Sequence, residues 1–432
     1  MRVLVLTEEI WNDGIYPGNV MTNWFMDFPG TLANLYLASG EPNNPCCSRY
    51  YQITDKMAAR SLITKKGTGK WFFTRSYRET ESSAKMRDVN RISNRVIKNT
   101  FGGTARLCRD FVWLRSDFKD SLLMDFLEDF RPEVIFSLRF YSRRMLYMER
   151  LLHSVTGAPV ITFTGDDEYS LRQLNFSPFY WTRKLLFRRD LRRTASIYTK
   201  YLTLSERQAK EMEEDLGVPA GILRKGGQFT EYSKKEVTGP IRIIYAGRLY
   251  CNRNKTLAAI AEALAAINEK EVLITLEIYT RDKVNKKEQR LLCDDRSVFL
   301  RDFVSQDELK KIYKESDIAL LTESFDLKNR LLTKYSFSTK VVDCLASSCA
   351  VLAIGPYENE GIRYLKKNKA AICIGKQENI LPVLSHFVKH PDKIEVYQRR
   401  AWELGQREHQ KEKIKDEIKE LFDMAVNDNK NR

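Results

Sequence analysis

Ser336-Phe337-Ser338-Thr339-Lys340-Val341-Val342-Asp343-Cys344-Leu345-Ala346 runs into the apolar segment Ala350-Val351-Leu352-Ala353-Ile354 and then Gly355-Pro356. The stretch reads as a capped helix feeding a buried strand, because Ser338 or Thr339 offers a hydroxyl to the free N–H groups that open a helical run. Val341, Val342, Leu345 and Ala346 share one face, and Lys340, Asp343 and Ser347 fall together on the other. A helix start with hydroxyls, free N–H groups, a lysine and a carboxylate can hold a phosphate and a neighbouring sugar hydroxyl. An ordinary N-capped helix with Lys340 and Asp343 paired in solvent has the same pattern.

Outward from this segment, short apolar runs alternate with helical patterns, the signature of βαβ units and a parallel sheet. The first half offers strands at Val3 to Leu6, Val134 to Leu138, Val160 to Phe163 and Tyr201 to Leu204. The second offers Ile241 to Ala246, Leu273 to Tyr279, Asp317 to Thr322, Ala350 to Ile354 and Ala371 to Ile374. Residues 231–240 are polar and close on Gly239-Pro240, a linker composition. The expectation is an α/β protein of two Rossmann-like, doubly wound domains facing across a cleft: 1–230, with a basic insertion near 63–105 whose part 65–70 reads as a mobile loop, and 241–395. Charged helices and a disordered tail are expected over 396–432. In such sheets ligands sit at the carboxyl ends of the strands.

At 432 residues the chain is long enough for two cores. Its eight cysteines lack CxxC spacing, so neither a zinc site nor a disulfide scaffold is indicated. Met1 to Thr7 reads as a first buried strand rather than a signal peptide, and no run is long and apolar enough to span a membrane. A reducing, cytoplasmic setting is expected. The formal net charge of +15 favours an anionic partner. Part of that charge lies over 180–200, where Lys184, Arg188 and Arg192 form a helical stripe beside Trp181, with Arg183 adjacent. Basic residues mixed with Trp and Leu suit the inner face of an anionic membrane; a solvated face of a packed helix is the plainer reading.

Two further motifs follow strands. Gly247-Arg248-Leu249-Tyr250-Cys251-Asn252-Arg253-Asn254-Lys255 comes after Ile241 to Ala246; the glycine permits close backbone approach to a ligand, and Arg248, Arg253 and Lys255 bring cations suited to a pyrophosphate. Glu323, flanked by Thr322 and Ser324, ends another strand and can accept sugar hydroxyls or act as a base. In the first half, Glu9-Ile10-Trp11-Asn12-Asp13 comes just after the first strand, Gly18-Asn19 precedes a helical run, and Gly165-Asp166-Asp167-Glu168-Tyr169 follows Val160 to Phe163. The paired aspartates suit acceptor hydroxyls or, less well, a divalent metal, and serve equally well as helix caps.

The order of these elements resembles the donor half of GT-B glycosyltransferases, in particular retaining family 4 enzymes of bacterial capsular and cell-surface polysaccharide synthesis. The resemblance covers residues 241–375 best. It implies a sugar transfer from a nucleotide-diphosphate donor, UDP-linked, to a hydroxyl of a lipid-linked or polysaccharide acceptor, with no metal and no cofactor beyond the donor substrate. It assigns catalysis to Arg248, Lys255 and Glu323, donor binding to Gly247, Arg253, Ser338, Thr339, Lys340 and Asp343, and acceptor binding to Asn19, Asp166 and Asp167. The chain departs from the family's pair of glutamates: Asp343 stands at the second position and Tyr335 at the first. A sugar-nucleotide epimerase of the same architecture and a non-catalytic basic binding protein are the alternative readings; no nucleic-acid module is present in the sequence.

Overall fold

The computed structural model describes residues 1–16, 18–64, 68–74, 102–116, 118 and 121–431. The expected loop over 65–70 lies outside the described residues at 65–67, and most of the basic insertion does too.

Two compact units are present: Met1–Leu171, Asn175–Leu223 and Lys415–Arg432 form the first, and Arg172–Leu174 with Arg224–Ile414 the second. The first contains β1 (Arg2–Thr7), α1 (Val20–Phe25), β2 (Thr31–Tyr36), β3 (Arg49–Gln52), α2 (Asp55–Thr64), β4 (Lys70–Phe73), α3 (Gly102–Arg115), α4 (Ser121–Phe130), β5 (Val134–Arg139), α5 (Arg143–Thr156), β6 (Val160–Thr164), α6 (Pro178–Thr194), β7 (Tyr198–Thr203), α7 (Glu206–Leu216) and β8 (Ala220–Ile222). Its sheet has the order β4-β3-β2-β1-β5-β6-β7-β8, parallel except for the antiparallel edge pair β3/β4. Val3, Leu4, Val5 and Leu6 are fully buried, as expected of a central strand covered on both faces. β1 pairs with β2 on one side and β5 on the other, in register Val3 to Leu32 and Val3 to Val134. The chain thus reverses its direction of winding at β1/β5.

The second unit contains β9 (Ile241–Ala246), α8 (Arg253–Ile267), β10 (Ile274–Thr280), α9 (Lys286–Leu292), β11 (Val298–Asp302), α10 (Gln306–Glu315), β12 (Ile318–Thr322), α11 (Leu327–Leu332), α12 (Lys340–Leu345), β13 (Ala350–Ile354), α13 (Glu360–Lys367), β14 (Ile372–Ile374), α14 (Ile380–Lys389) and α15 (Asp392–Glu408). The order β11-β10-β9-β12-β13-β14 is wholly parallel, so winding reverses at β9/β12. Ile243, Tyr245, Ile278, Leu320 and Leu352 anchor its core. Local sequence signals set several helix starts: Ser305 and Glu308 form a reciprocal capping box at α10.

Residues 231–240 have no regular element, but they are not a free tether. Lys235 Nζ donates to the carbonyls of Tyr313 (2.6 Å) and Ser316 (3.0 Å), which fixes the segment on the second unit. The expected disordered tail is also corrected: α16 (Lys411–Lys430) stays helical through Lys430. Its stripe Ile414, Ile418, Phe422 and Val426 repeats every four residues and is buried. Phe422 stacks on Phe25 with ring centroids 6.2 Å apart and meets Phe136 at 5.6 Å, so burial holds the helix as far as Val426, and the exposed Asn427 to Lys430 extend it by one turn.

Candidate functional site

The winding reversal of the second sheet brings the segments after β9 and β12 together, where doubly wound sheets bind ligands. A pocket there is lined by Tyr245, Arg253, Glu323, Ser338, Lys340 and Asn359. Asn252 adopts a left-handed backbone (φ 59°) just before α8, and the helix then presents Arg253 inward. Arg253 Nη2 donates to Glu323 Oε1 at 2.7 Å and Nε to Oε2 at 3.2 Å, with both residues buried. Burial pulls the Arg253 guanidinium down, but the Glu323 charge and its hydrogen bonds outweigh this and hold it above its ordinary value. Glu323 is fixed in turn: Thr256 Oγ1 donates to its carbonyl at 2.9 Å, and its Cβ packs so close to Gly355 (φ +154°) that a Cβ there would lie 2.9 Å away. Asn252 Nδ2 reaches Asp326 at 3.2 Å, tying the loop after β9 to the loop after β12.

Lys340 completes the pocket. A Cβ on Gly247 would lie 1.6 Å from Lys340 Nζ, so the ammonium sits directly against that glycine's backbone. Nζ also lies 5.1 Å from the Tyr245 ring centroid, and it has no ion-pair partner among the described residues. Burial first, and the Arg253 charge second, lower its pKa to about 8.

The structure thus brings Gly247, Arg253, Glu323, Ser338 and Lys340 together, and places the other expected catalytic and donor residues differently. Arg248 is mostly exposed, with Nε donating to Asp282 at 2.6 Å. Lys255 is exposed on α8 and does not line the pocket, because the helix phase turns Arg253 rather than Lys255 inward. Thr339 is exposed and makes no side-chain cap; Ser338 Oγ accepts from Lys340 N at 3.4 Å. α12 is only six residues long, so side-chain cations rather than the helix terminus carry the positive charge here. Asp343 pairs with Lys225 Nζ at 2.6 Å and not with Lys340. Tyr335, at the position of the family's first glutamate, is buried and its hydroxyl accepts from Arg172. Neither Lys225 nor Arg172 could be read as a partner beforehand, since both lie far off in the chain.

A second cavity, about 660 Å³, lies at the β1/β5 reversal of the first sheet and is lined by Glu8, Glu9, Asp55, Lys56, Phe140 and Arg144, with Leu37 to Ser39. Arg144 is committed to carboxylates at 2.7 Å (Glu8) and 2.8 Å (Asp55). Burial and the neighbouring Glu8 charge push the Glu9 carboxyl up. Of these residues the sequence singled out Glu9 alone, in the run after the first strand; the others carry the same signal, since they follow β1, β2, β3 and β5.

The expected acceptor residues lie elsewhere in the first unit. Asn19 Oδ1 caps α1 by accepting from Met21 N at 3.0 Å. Asp167 accepts from Ser170 N at 2.9 Å. Asp166 reaches solvent, yet crowding by protein and then the Asp167 charge raise its pKa. The loop that carries them is pinned by Glu168, buried against Arg139 Nε at 3.0 Å. Arg139 is fully buried and also meets Glu149 at 3.6 Å and the hydroxyls of Tyr198 (2.7 Å) and Tyr201 (2.6 Å).

Four residues of the stripe expected on α6 to face a membrane, Trp181, Arg183, Lys184 and Arg188, are engaged within the first unit instead. Arg183 and Lys184 are buried: Arg183 lies 3.8 Å from Asp110 and its guanidinium 5.0 Å from the Tyr141 ring centroid. Arg188 donates to the Tyr169 carbonyl at 2.5 Å, and Trp181 Nε1 to the Asn175 carbonyl at 2.7 Å. Among the expected residues Arg192 stays exposed.

Two parallel-sheet α/β units with these strand orders constitute the GT-B fold, and the solved structures that the chain resembles have that fold. The Anabaena protein HepE in complex with UDP superposes with a TM-score of 0.62 at 10% identity, over 98% of this chain and 100% of that one. Sucrose-phosphate synthase from Thermosynechococcus elongatus gives 0.63 at 9% identity, over 98% and 99%. A UDP-forming α,α-trehalose-phosphate synthase from Burkholderia xenovorans in complex with glucose-6-phosphate gives 0.60 at 9%, over 98% and 100%. Neither a family model nor a curated protein matches the sequence. The likeness is one of fold.

Proposed function

We propose that the chain is a retaining glycosyltransferase that moves a hexose from a UDP-sugar to a hydroxyl of a lipid-linked or polysaccharide acceptor in cell-surface glycan synthesis. The observation that carries the reading is the convergence of Arg253, Lys340 and Glu323 at the winding reversal of the second sheet. Structures of this fold crystallised with UDP and with UDP-glucose support the choice of donor.

The space enclosed by the pocket is about 20 Å³, room for one water, so the diphosphate belongs at its mouth beside Gly247. There Arg253 and Lys340 meet the charge that grows on the departing β-phosphate oxygen, an electrostatic role that calls for no metal. The bond from the anomeric carbon to that oxygen breaks, the acceptor oxygen bonds to the same face of the carbon, and its proton passes to the departing phosphate. Lys340 takes the place expected of Lys255, Arg248 guides the donor from the rim, and Asp343, held by Lys225, faces the ribose. On this reading the acceptor enters the first-unit cavity. Its carboxylates suit sugar hydroxyls and the Phe140 ring the apolar face of a sugar, and Arg144, already engaged by Glu8 and Asp55, leaves little for a phosphate.

UDP titration calorimetry tests the site through the pH dependence of Lys340. Below a pKa of about 8 the ammonium is charged and attracts the diphosphate; above it the amine is neutral. UDP affinity is expected to fall about tenfold between pH 7 and 9, following the charged fraction. Lys340→Met should bind more weakly at pH 7 and show a flat profile. Affinity that is unchanged by this substitution and by pH would reject the donor site.

A further inference from the structure

Helix α6 turns to solvent a face that its sequence phase did not announce. Thr182, Leu185, Arg189 and Arg192 recur at helical spacing and are all exposed, with Arg193 at their flank. Leu185 is 55% exposed, Phe179 at the first turn 48%, and Phe176, just ahead of the helix, 92%. The helix has a single acidic residue, Asp190, which is buried and held by Arg143 at 2.7 Å. Arg189 also reaches Asp190 at 3.3 Å, yet its side chain remains 52% exposed. The face is therefore apolar at one end and cationic at the other, with no exposed carboxylate of its own.

We propose that this face, with Phe176, docks on an anionic lipid surface, the aromatic end seated among the headgroups and the arginine end against lipid phosphates. The arrangement follows from charge and hydropathy together. Arginines alone would fit any polyanion, but Phe176, Phe179 and Leu185 gain only where an apolar layer adjoins the anionic one, which a lipid interface supplies. Phe179 and Arg193 are 14 residues apart on the helix, about 21 Å, so the helix lies along the surface rather than through it. Among the described residues no helix is long and apolar enough to cross a membrane. The docking face is separate from both cavities, so its test reads binding alone and stands or falls apart from the transferase reading.

The full chain is to be sedimented with phosphatidylcholine vesicles and with phosphatidylcholine vesicles containing a third phosphatidylglycerol. Binding only to the second set is expected, weakening as salt is raised. The triple variant Arg189→Glu, Arg192→Glu, Arg193→Glu should lose at least about a hundredfold in partitioning. Phe176→Ser with Phe179→Ser should lose about tenfold or more with the charge intact. A charge-matched control, Lys286→Glu, Lys287→Glu, Lys311→Glu, reverses three exposed lysines of the second unit and should retain binding. No binding to anionic vesicles, equal binding to neutral ones, or a control as impaired as the arginine triple would each overturn the proposal. The phenylalanine pair lies outside the packed faces, so it keeps the test decisive if the arginine triple fails to fold.

Discussion

Arg253→Ala is expected to abolish detectable sugar transfer and to weaken UDP binding by about a hundredfold or more, because one substitution removes the best-placed cation and strands a buried carboxylate. The first effect follows from the position of the guanidinium in the pocket lining, where it faces the charge of a leaving diphosphate. The second follows from the ion pair: Glu323 Oε1 and Oε2 lie 2.7 and 3.2 Å from Arg253, and both residues are less than a tenth exposed. Breaking such a pair from one side costs about 3–5 kcal/mol, most of it the unpaired charge left behind. The double variant Arg253→Ala, Glu323→Gln separates the two effects. It should recover most of the lost thermal stability while UDP binding stays weak. If the single variant binds UDP as the native chain does, Arg253 is not a donor ligand.

The second large effect lies in the first unit. Arg139 is fully buried between Glu149, Glu168, Tyr198 and Tyr201, whose combined influence outweighs desolvation and holds its guanidinium firmly charged. Arg139→Met leaves two buried glutamates without their counter-charge and should cost about 3–5 kcal/mol. For a unit of this size that is a fall in melting temperature of roughly 6–20 °C, readable by calorimetry. The triple variant Arg139→Met, Glu149→Gln, Glu168→Gln should regain much of it, since no net charge then remains buried. An unchanged melting temperature for the single variant would show that the network contributes no net stability. Because Glu168 pins the loop that holds Asp166 and Asp167, the single variant should also expose that loop to proteolysis.

Much of the fold was legible because central parallel strands are apolar on both faces. Ile241 to Ala246 and Ala350 to Ile354 occupy the bounds expected of them, and β1, β5 and β6 differ by a residue or two. β2 was missed because Asn34 interrupts its apolar run; the amide is nonetheless buried, with Nδ2 donating to the Val5 carbonyl at 2.9 Å. β3 has only four residues and β11 ends in Arg301-Asp302, so neither carries a clear period. At the site, Gly247, Glu323 and Lys340 could be found because each directly follows a strand or opens a helix. Their partners could not. Whether Arg253 or Lys255 turns inward depends on the exact start of α8, and the Lys225 to Asp343 pair spans 118 residues. On α6 the sequence named one basic stripe and the structure exposes another, since the buried Asp110 and Tyr141 draw Arg183 inward.

Turnover across a panel of nucleotide-sugars, with UDP release and the fate of the sugar followed together in the presence and absence of extracted membrane lipids, decides whether the chain is a transferase. A UDP-sugar should be consumed, its sugar should appear with unchanged anomeric configuration on a lipid-linked or glycan acceptor, and release of UDP should depend on that acceptor. A sugar altered without any acceptor would indicate an epimerase instead, and a chain that neither consumes nor binds any nucleotide-sugar would not be a glycosyltransferase.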